Sequence, residues 1–337
     1  MLKRTKRAPQ YNEQEARKYF QFSAAAYAET PEKCLMNAFP MNENRQLINI
    51  MTASCDVISS LCSGYIVKSD SLQELTIVFR GTKTQEQLLL EGWSTLTPQK
   101  DFFGIGSVNA YFFRAHNLLW DSVGAALMNP AWKKYRVVFT GHSLGAALAA
   151  LAAARTVAQN LRAGNQVKVI TFGEPRVGSV IFAKNFDQMI PDSWRIVFRK
   201  DVVAHLPGCV KDFMNGTIDK DASLPCDPNN LIRSYHHSTE IWYPECMEPG
   251  CQYRVCTGLP KGEDFSCSDL YKFDLAQSNS YIWDHRHYFG IKITEYGKLG
   301  CDASAATVRD QEPNGNSFSD KIFSAFDWVA NRFGINV

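Results

Sequence analysis

Apolar and aromatic residues recur at helical spacing over residues 11–29 (YNEQEARKYFQFSAAAYAE), which predicts an opening helix. Residues 64–68 (GYIVK) and 74–79 (ELTIVF) are apolar and β-branched on either side of Ser69-Asp70-Ser71, a hairpin-like signal. The spacing turns helical again over 109–128 and stops before Asn129-Pro130. A strand at 135–140, a helix at 144–160 and strands at 167–172 and 194–199 follow. Strands alternating with helices predict an α/β fold: a mostly parallel central sheet with helices on both faces.

The pattern breaks down over 206–268, a loop-rich stretch that reads as an excursion from the sheet held by disulfide bridges. Beyond Cys301 the polar run DASAATVRDQEPNGNS leads into SDKIFSAFDWVANRFG. There Ile322, Phe326, Val329 and Phe333 share one helical face and Gly334 is a stop signal. The expected organisation is one body over 11–301, then a polar linker and an amphipathic helix over 302–337 that packs onto it.

Composition narrows the class. A formal net charge of +2 over 337 residues gives no reason to expect nucleic acid as a partner. No apolar run approaches the roughly 20 residues needed to span a bilayer. Ten cysteines, an even number, contain no CxxC pair and sit mostly among Gly, Pro, Asp and Asn. Cys246, Cys251 and Cys256, near His236 and His237, are too widely spaced for the usual zinc ligand pattern, so disulfides are expected rather than a metal. Disulfides imply an oxidising compartment, and the sequon Asn215-Gly216-Thr217 agrees with one. The opening MLKRTKRAPQ is basic but lacks an apolar h-region, so the expectation is a secreted protein whose leader is not in this sequence.

Candidate chemistry centres on Gly141-His142-Ser143-Leu144-Gly145, which fits G-x-S-x-G between an apolar strand and an alanine-rich helix. A sharp turn there exposes Ser143 as a nucleophile, and the helix N-terminus aims free N–H groups at developing negative charge. A serine hydroxyl needs a base, and the base a carboxylate; in this architecture the chain order is serine, acid, histidine. Asp201 directly follows the strand 194–199 and so lies at its C-terminal end, whereas Asp187 and Asp192 precede it. His205, on the same loop, is expected to line the substrate site. Chain order leaves His236, His237, His285 and His287 all open as the base.

Six motifs in order then resemble the class 3 lipases, the fungal-lipase-like α/β-hydrolases, including their nematode members. They are IVFRGT (77–82), VVFTGHSLGAALA (137–149), TFGEPRVG (171–178), RKDVVAHLP (199–207), YHHSTEIWY (235–243) and DHRHYFGI (284–291). The resemblance implies Ser143 as nucleophile, Asp201 as acid and His285 as base, the last because it precedes x-x-Tyr-Phe-Gly at the family's position. It gives His237 a supporting role. It also implies an oxyanion hole from Thr82 and Leu144 and no cofactor or metal. Lys83 to Trp93 stands where the family has a lid, with Leu88, Leu89, Leu90 and Trp93 on its apolar side. Cys34–Cys301 and Cys55–Cys62 resemble family bridges; the other six cysteines stay unpaired at this level. The implied activity is hydrolysis of carboxylic esters, foremost acylglycerols at a lipid–water interface. An esterase for soluble or aryl (feruloyl-type) esters and a phospholipase are the alternatives, and a non-catalytic lipid-binding protein is the rival from outside the class.

Overall fold

The structure is a computed structural model, described here for residues 9–55, 61–81, 100–212, 222–258, 262–273 and 277–302. Thr82, the lid segment, the sequon and the C-terminal helix expected after residue 316 lie outside these residues. The opening helix is α1 (Glu13–Ala25). Asn12 caps it by accepting the Glu15 N–H at 2.9 Å, and Glu13 and Glu15 place negative charge in its first turn. A short α2 (Glu32–Ala38) follows. The hairpin expected at 64–79 is present as β2 (Leu61–Ser69) and β3 (Glu74–Phe79). Before it runs β1 (Arg45–Ser54), which pairs antiparallel with β2.

The remaining framework is α3 (Ala110–Met128), β6 (Arg136–His142), α4 (Leu144–Ala158), β7 (Val167–Phe172), α5 (Val180–Met189), β9 (Ser193–Phe198), β11 (Thr239–Tyr243) and β12 (Arg254–Cys256). The two-residue strands β4 (Lys100–Asp101), β5 (Ser107–Val108), β8 (Gly178–Ser179) and β10 (Ser234–Tyr235) make a small separate sheet. The main sheet has the order β1-β2-β3-β6-β7-β9-β11-β12, and β3 through β11 run parallel. The cysteine-rich stretch is therefore not wholly an excursion, because β11 and β12 complete one edge of the main sheet.

Alternation along the central strands divides the core in two. Leu75, Ile77, Phe79, Val137, Phe139, Val167 and Val169 face α3, α4 and α5. Val78, Val138, Ile170, Phe172 and Ile196 face α1. Both faces are covered, as a parallel sheet requires. Helix α4 is buried along almost its whole length, and its alanines allow it to lie close to the sheet.

All ten cysteines are paired, as Cys34–Cys301, Cys55–Cys62, Cys209–Cys226, Cys246–Cys251 and Cys256–Cys267. The first clamps α2 to the residues just after the last described helix, α7 (Ile293–Lys298); the three pairs in the cysteine-rich stretch are local staples. Among the described residues no helix is long and apolar enough to cross a membrane.

Candidate active site

In an open α/β sheet, ligand chemistry gathers beyond the C-terminal ends of the parallel strands. Ser143 lies just past β6, Gly173 just past β7 and Asp201 just past β9. At the first of these ends the chain reverses from strand into α4 within one residue, and Ser143 takes φ 60°, ψ −130°. A non-glycine residue held at positive φ is strained, and surrounding structure must impose it. Here the neighbours are glycines because there is no room for anything else. A Cβ on Gly145 would come within 2.2 Å of the Phe79 carbonyl oxygen, and one on Gly141 within 2.4 Å of the Gly145 oxygen.

His285 lies in α6 (Ser278–Arg286), a helix where the aromatic-flanked sequence reads as a loop, followed by β13 (His287–Tyr288). Its Nδ1–H donates to both Asp201 oxygens, at 2.9 and 2.8 Å. Asp201 also accepts the Tyr288 hydroxyl at 2.6 Å and the Val203 N–H at 2.9 Å. Burial alone would raise the pKa of this carboxyl, but the charge and hydrogen bond of His285 and the Tyr288 hydroxyl outweigh it. The group stays ionised, below the ordinary aspartate range. The carboxylate fixes which ring nitrogen of His285 is protonated, leaving Nε2 as the acceptor. Neither His285 Nε2 nor Ser143 Oγ has a hydrogen-bond partner among the described residues, and both side chains are buried, Ser143 with 1% of its surface exposed.

Gly173 completes the arrangement. It sits at φ +55°, and a Cβ there would lie 2.5 Å from Asp201 Oδ2 and 2.8 Å from His285 Nδ1. Only glycine supplies both the backbone angle and the space.

The other histidines are committed elsewhere. His236 Nε2 bonds the Ala204 carbonyl at 2.6 Å. His237 lies between Glu174 (2.8 Å) and the Ser238 hydroxyl (2.6 Å), a buried structural role. His287 bonds the Trp283 carbonyl at 2.7 Å and stacks on its ring at 4.0 Å. His205 turns toward Asp269 (3.3 Å) and the Phe273 ring (4.8 Å), within a buried cluster where Arg176 joins Glu263 and Asp269. The cause is electrostatic: Arg176 also binds the His205 and Pro207 carbonyls, and so draws this loop inward. Leu144 opens α4, so its N–H is among the first of the helix and has no intrahelical acceptor. Tyr288 and Tyr27, which touch this site, were not singled out beforehand. The tyrosine of DHRHYFG was a usable signal for Tyr288, whereas nothing in the pattern marked Tyr27.

Burial carries a stability consequence. His116, His142 and His205 are each pushed down to about 3, first by desolvation and then by the neighbouring Arg155, His285 and Arg176 respectively. Below the free histidine pKa of about 6.5 the unfolded chain binds these protons and the native protein does not. Stability therefore falls as pH drops from about 6.5 toward 3, by up to about 1.4 kcal/mol per pH unit for each histidine. Urea midpoints measured from pH 8 to pH 4.5 are expected to be flat above 7 and to fall steeply below 6. A midpoint constant to pH 4.5 would show that these rings do not stay neutral in the native state.

Comparison with known proteins decides the family. The sequence profile described as Lipase (class 3) matches residues 76–211. The protein described as Lipase ZK262.3 of Caenorhabditis elegans is 50% identical over 296 residues, covering 88% of this chain and 84% of that protein. The chain is a class 3 lipase. A lipase of Rhizopus niveus is 28% identical over 47% of this chain and 41% of its own length. Among solved structures, the lipase of Rhizopus microsporus var. chinensis superposes with a TM-score of 0.63 at 24% identity, covering 84% of this chain and 88% of that one. The propeptide complex of Rhizomucor miehei lipase gives 0.64 at 23% identity, covering 86% and 84%. The fold of this class 3 lipase is thus the α/β-hydrolase fold, and the protein is a carboxylic ester hydrolase.

Proposed function

We propose that this lipase hydrolyses acylglycerols through Ser143, His285 and Asp201, by way of an acyl-enzyme. Ser143 Oγ attacks the ester carbonyl while His285 Nε2 takes its proton, and Asp201 stabilises the imidazolium that forms. The backbone N–H of Leu144 and Thr82 hold the tetrahedral oxyanion. His285 then returns the proton to the departing glyceride oxygen as the C–O bond breaks. A water activated by the same nitrogen releases the fatty acid and restores Ser143.

The observation that supports this reading is that Ser143 Oγ and His285 Nε2 are both buried and free of any hydrogen-bond partner among the described residues, while a carboxylate holds the opposite ring nitrogen of His285. The burial of Ser143 bears on the substrate. A long-chain ester reaches the hydroxyl only after a cover moves, and a lipid surface supplies the energy by taking up the cover's apolar side. In this reading the segment with Leu88, Leu89, Leu90 and Trp93 is that cover. Five disulfides fit the oxidising, extracellular setting in which such a substrate is met.

The test compares turnover of emulsified triacylglycerol, soluble p-nitrophenyl acetate and phosphatidylcholine vesicles, alongside labelling by a fluorophosphonate probe. The expected result is a labelled protein whose activity rises sharply once triacylglycerol exceeds its solubility. A labelled protein without that rise assigns it to soluble esters, and preference for the vesicles assigns it to phospholipids. No labelling would remove the serine mechanism itself.

A further inference from the structure

Just past α1, outside the stretch matched by the family profile, Tyr27 is almost fully buried. Its hydroxyl lies 2.8 Å from His142 Nδ1, and His142 Nε2 lies 2.7 Å from the backbone carbonyl oxygen of His285. The His142 and His285 rings are stacked, with centroids 4.5 Å apart and planes 28° from parallel. A carbonyl oxygen can only accept, so His142 Nε2 carries the hydrogen. The ring is neutral, so Nδ1 is bare and must accept, and the Tyr27 hydroxyl is then the donor. The direction of every bond from Tyr27 to the His285 backbone is thereby fixed.

The same hydroxyl reaches the strand end that precedes Thr82. A Cβ on Gly81 would come within 2.3 Å of the Tyr27 oxygen, 2.6 Å of the His142 carbonyl oxygen and 3.1 Å of Ser143 Cβ. Tyr27 and His142 thus occupy the space between the nucleophile's elbow, the β3 end and the base.

We infer that Tyr27 and His142 are positioning residues that set the place and ring plane of His285. His142 holds the backbone of the base through its carbonyl and the face of its ring by stacking, while Asp201 holds the ring edge. Tyr27 acts through His142, by fixing its tautomer. Desolvation, followed by the proximity of His285, pushes His142 down to about 3, so it stays uncharged beside the imidazolium that forms during turnover. Displacing a base by a fraction of an ångström is costly because proton transfer depends on alignment. The inference rests on the assignment of His285 as base.

The test uses the full chain with its disulfides intact and a soluble p-nitrophenyl ester, so that interfacial effects do not enter. His142→Phe keeps a stacking ring but removes both hydrogen bonds. It is expected to lower kcat by roughly ten- to a hundredfold with KM within twofold. His142→Gln, which can still offer an N–H toward the His285 carbonyl, is expected to recover at least threefold of that loss. Tyr27→Phe is expected to lower kcat threefold or more. Tyr27→Phe/His142→Phe is expected to be no slower than His142→Phe alone, since Tyr27 acts through His142. Wild-type kcat in His142→Phe, no recovery in His142→Gln, or losses that multiply in the double variant would overturn the proposal. If His142→Phe does not fold, Tyr27→Phe decides by itself, and a kcat changed by less than threefold overturns it. Failure of the wild type to take a fluorophosphonate label would instead count against Ser143 and His285 as the reacting pair.

Discussion

Ser143→Ala is expected to reduce ester hydrolysis by roughly 10⁴- to 10⁶-fold, with little change in stability. The hydroxyl makes no hydrogen bond among the described residues, so no structural partner is lost with it. Alanine tolerates the φ 60° backbone about as well as serine does, and Gly141 and Gly145 still leave room for the elbow. Oxyanion binding and substrate orientation survive, which sets a floor above the uncatalysed rate. The measurement is kcat on p-nitrophenyl butyrate together with fluorophosphonate labelling, with melting temperature as the control for folding. A variant that keeps a tenth of wild-type kcat, or still labels, would mean that another residue is the nucleophile.

Asp201→Asn is the second large effect, expected at about 10⁴-fold in kcat. The substitution is nearly isosteric, so the loss comes from protons. Asp201 accepts from His285, Tyr288 and Val203 and donates nothing. An asparagine placed there must turn its amide among those donors, and a side-chain N–H directed at Nδ1 inverts the tautomer of His285. Nε2 then carries the hydrogen and cannot accept one from Ser143. KM should stay within a few-fold because no substrate contact is removed, and labelling should slow in proportion to kcat. A loss smaller than tenfold would show that His285 keeps its tautomer without the carboxylate.

How much of this was legible in the sequence depended on whether a local pattern carried the constraint. The elbow was legible because its geometry needs small residues at fixed offsets from Ser143, and those offsets are printed in the chain. Asp201 was legible because the strand before it is apolar and continuous. The proposed base, His285, was not separable by pattern. Among His236, His237, His285 and His287 the distinguishing fact is which ring reaches Asp201, a contact across 84 positions. Strand β1 was missed because it lies at the sheet edge with half of its ten positions exposed, and a register irregularity between Leu47 and Asn49 further blurs its alternation. Helix α6 was misread because it starts without a side-chain cap and has polar residues around its whole first turn. The surroundings of His205 were not legible for a different reason: Arg176, Glu263 and Asp269 are far apart in sequence, and their mutual attraction gathers that loop only once the chain is folded.

The bond between Cys34 and Cys301 has a consequence for how the chain is made. In the secreted setting proposed above, the chain would expose Cys34 long before Cys301, which lies 267 residues later. Cys55 and Cys62 arrive first, and a thiolate reacts with whatever partner is within reach. Oxidation in order of arrival therefore works against the native pairing, and any early bond to Cys34 has to be exchanged away. The staple between α2 and the turn after α7 is therefore expected among the later bonds to close, and the yield of native pairing is expected to fall in a host lacking a disulfide isomerase.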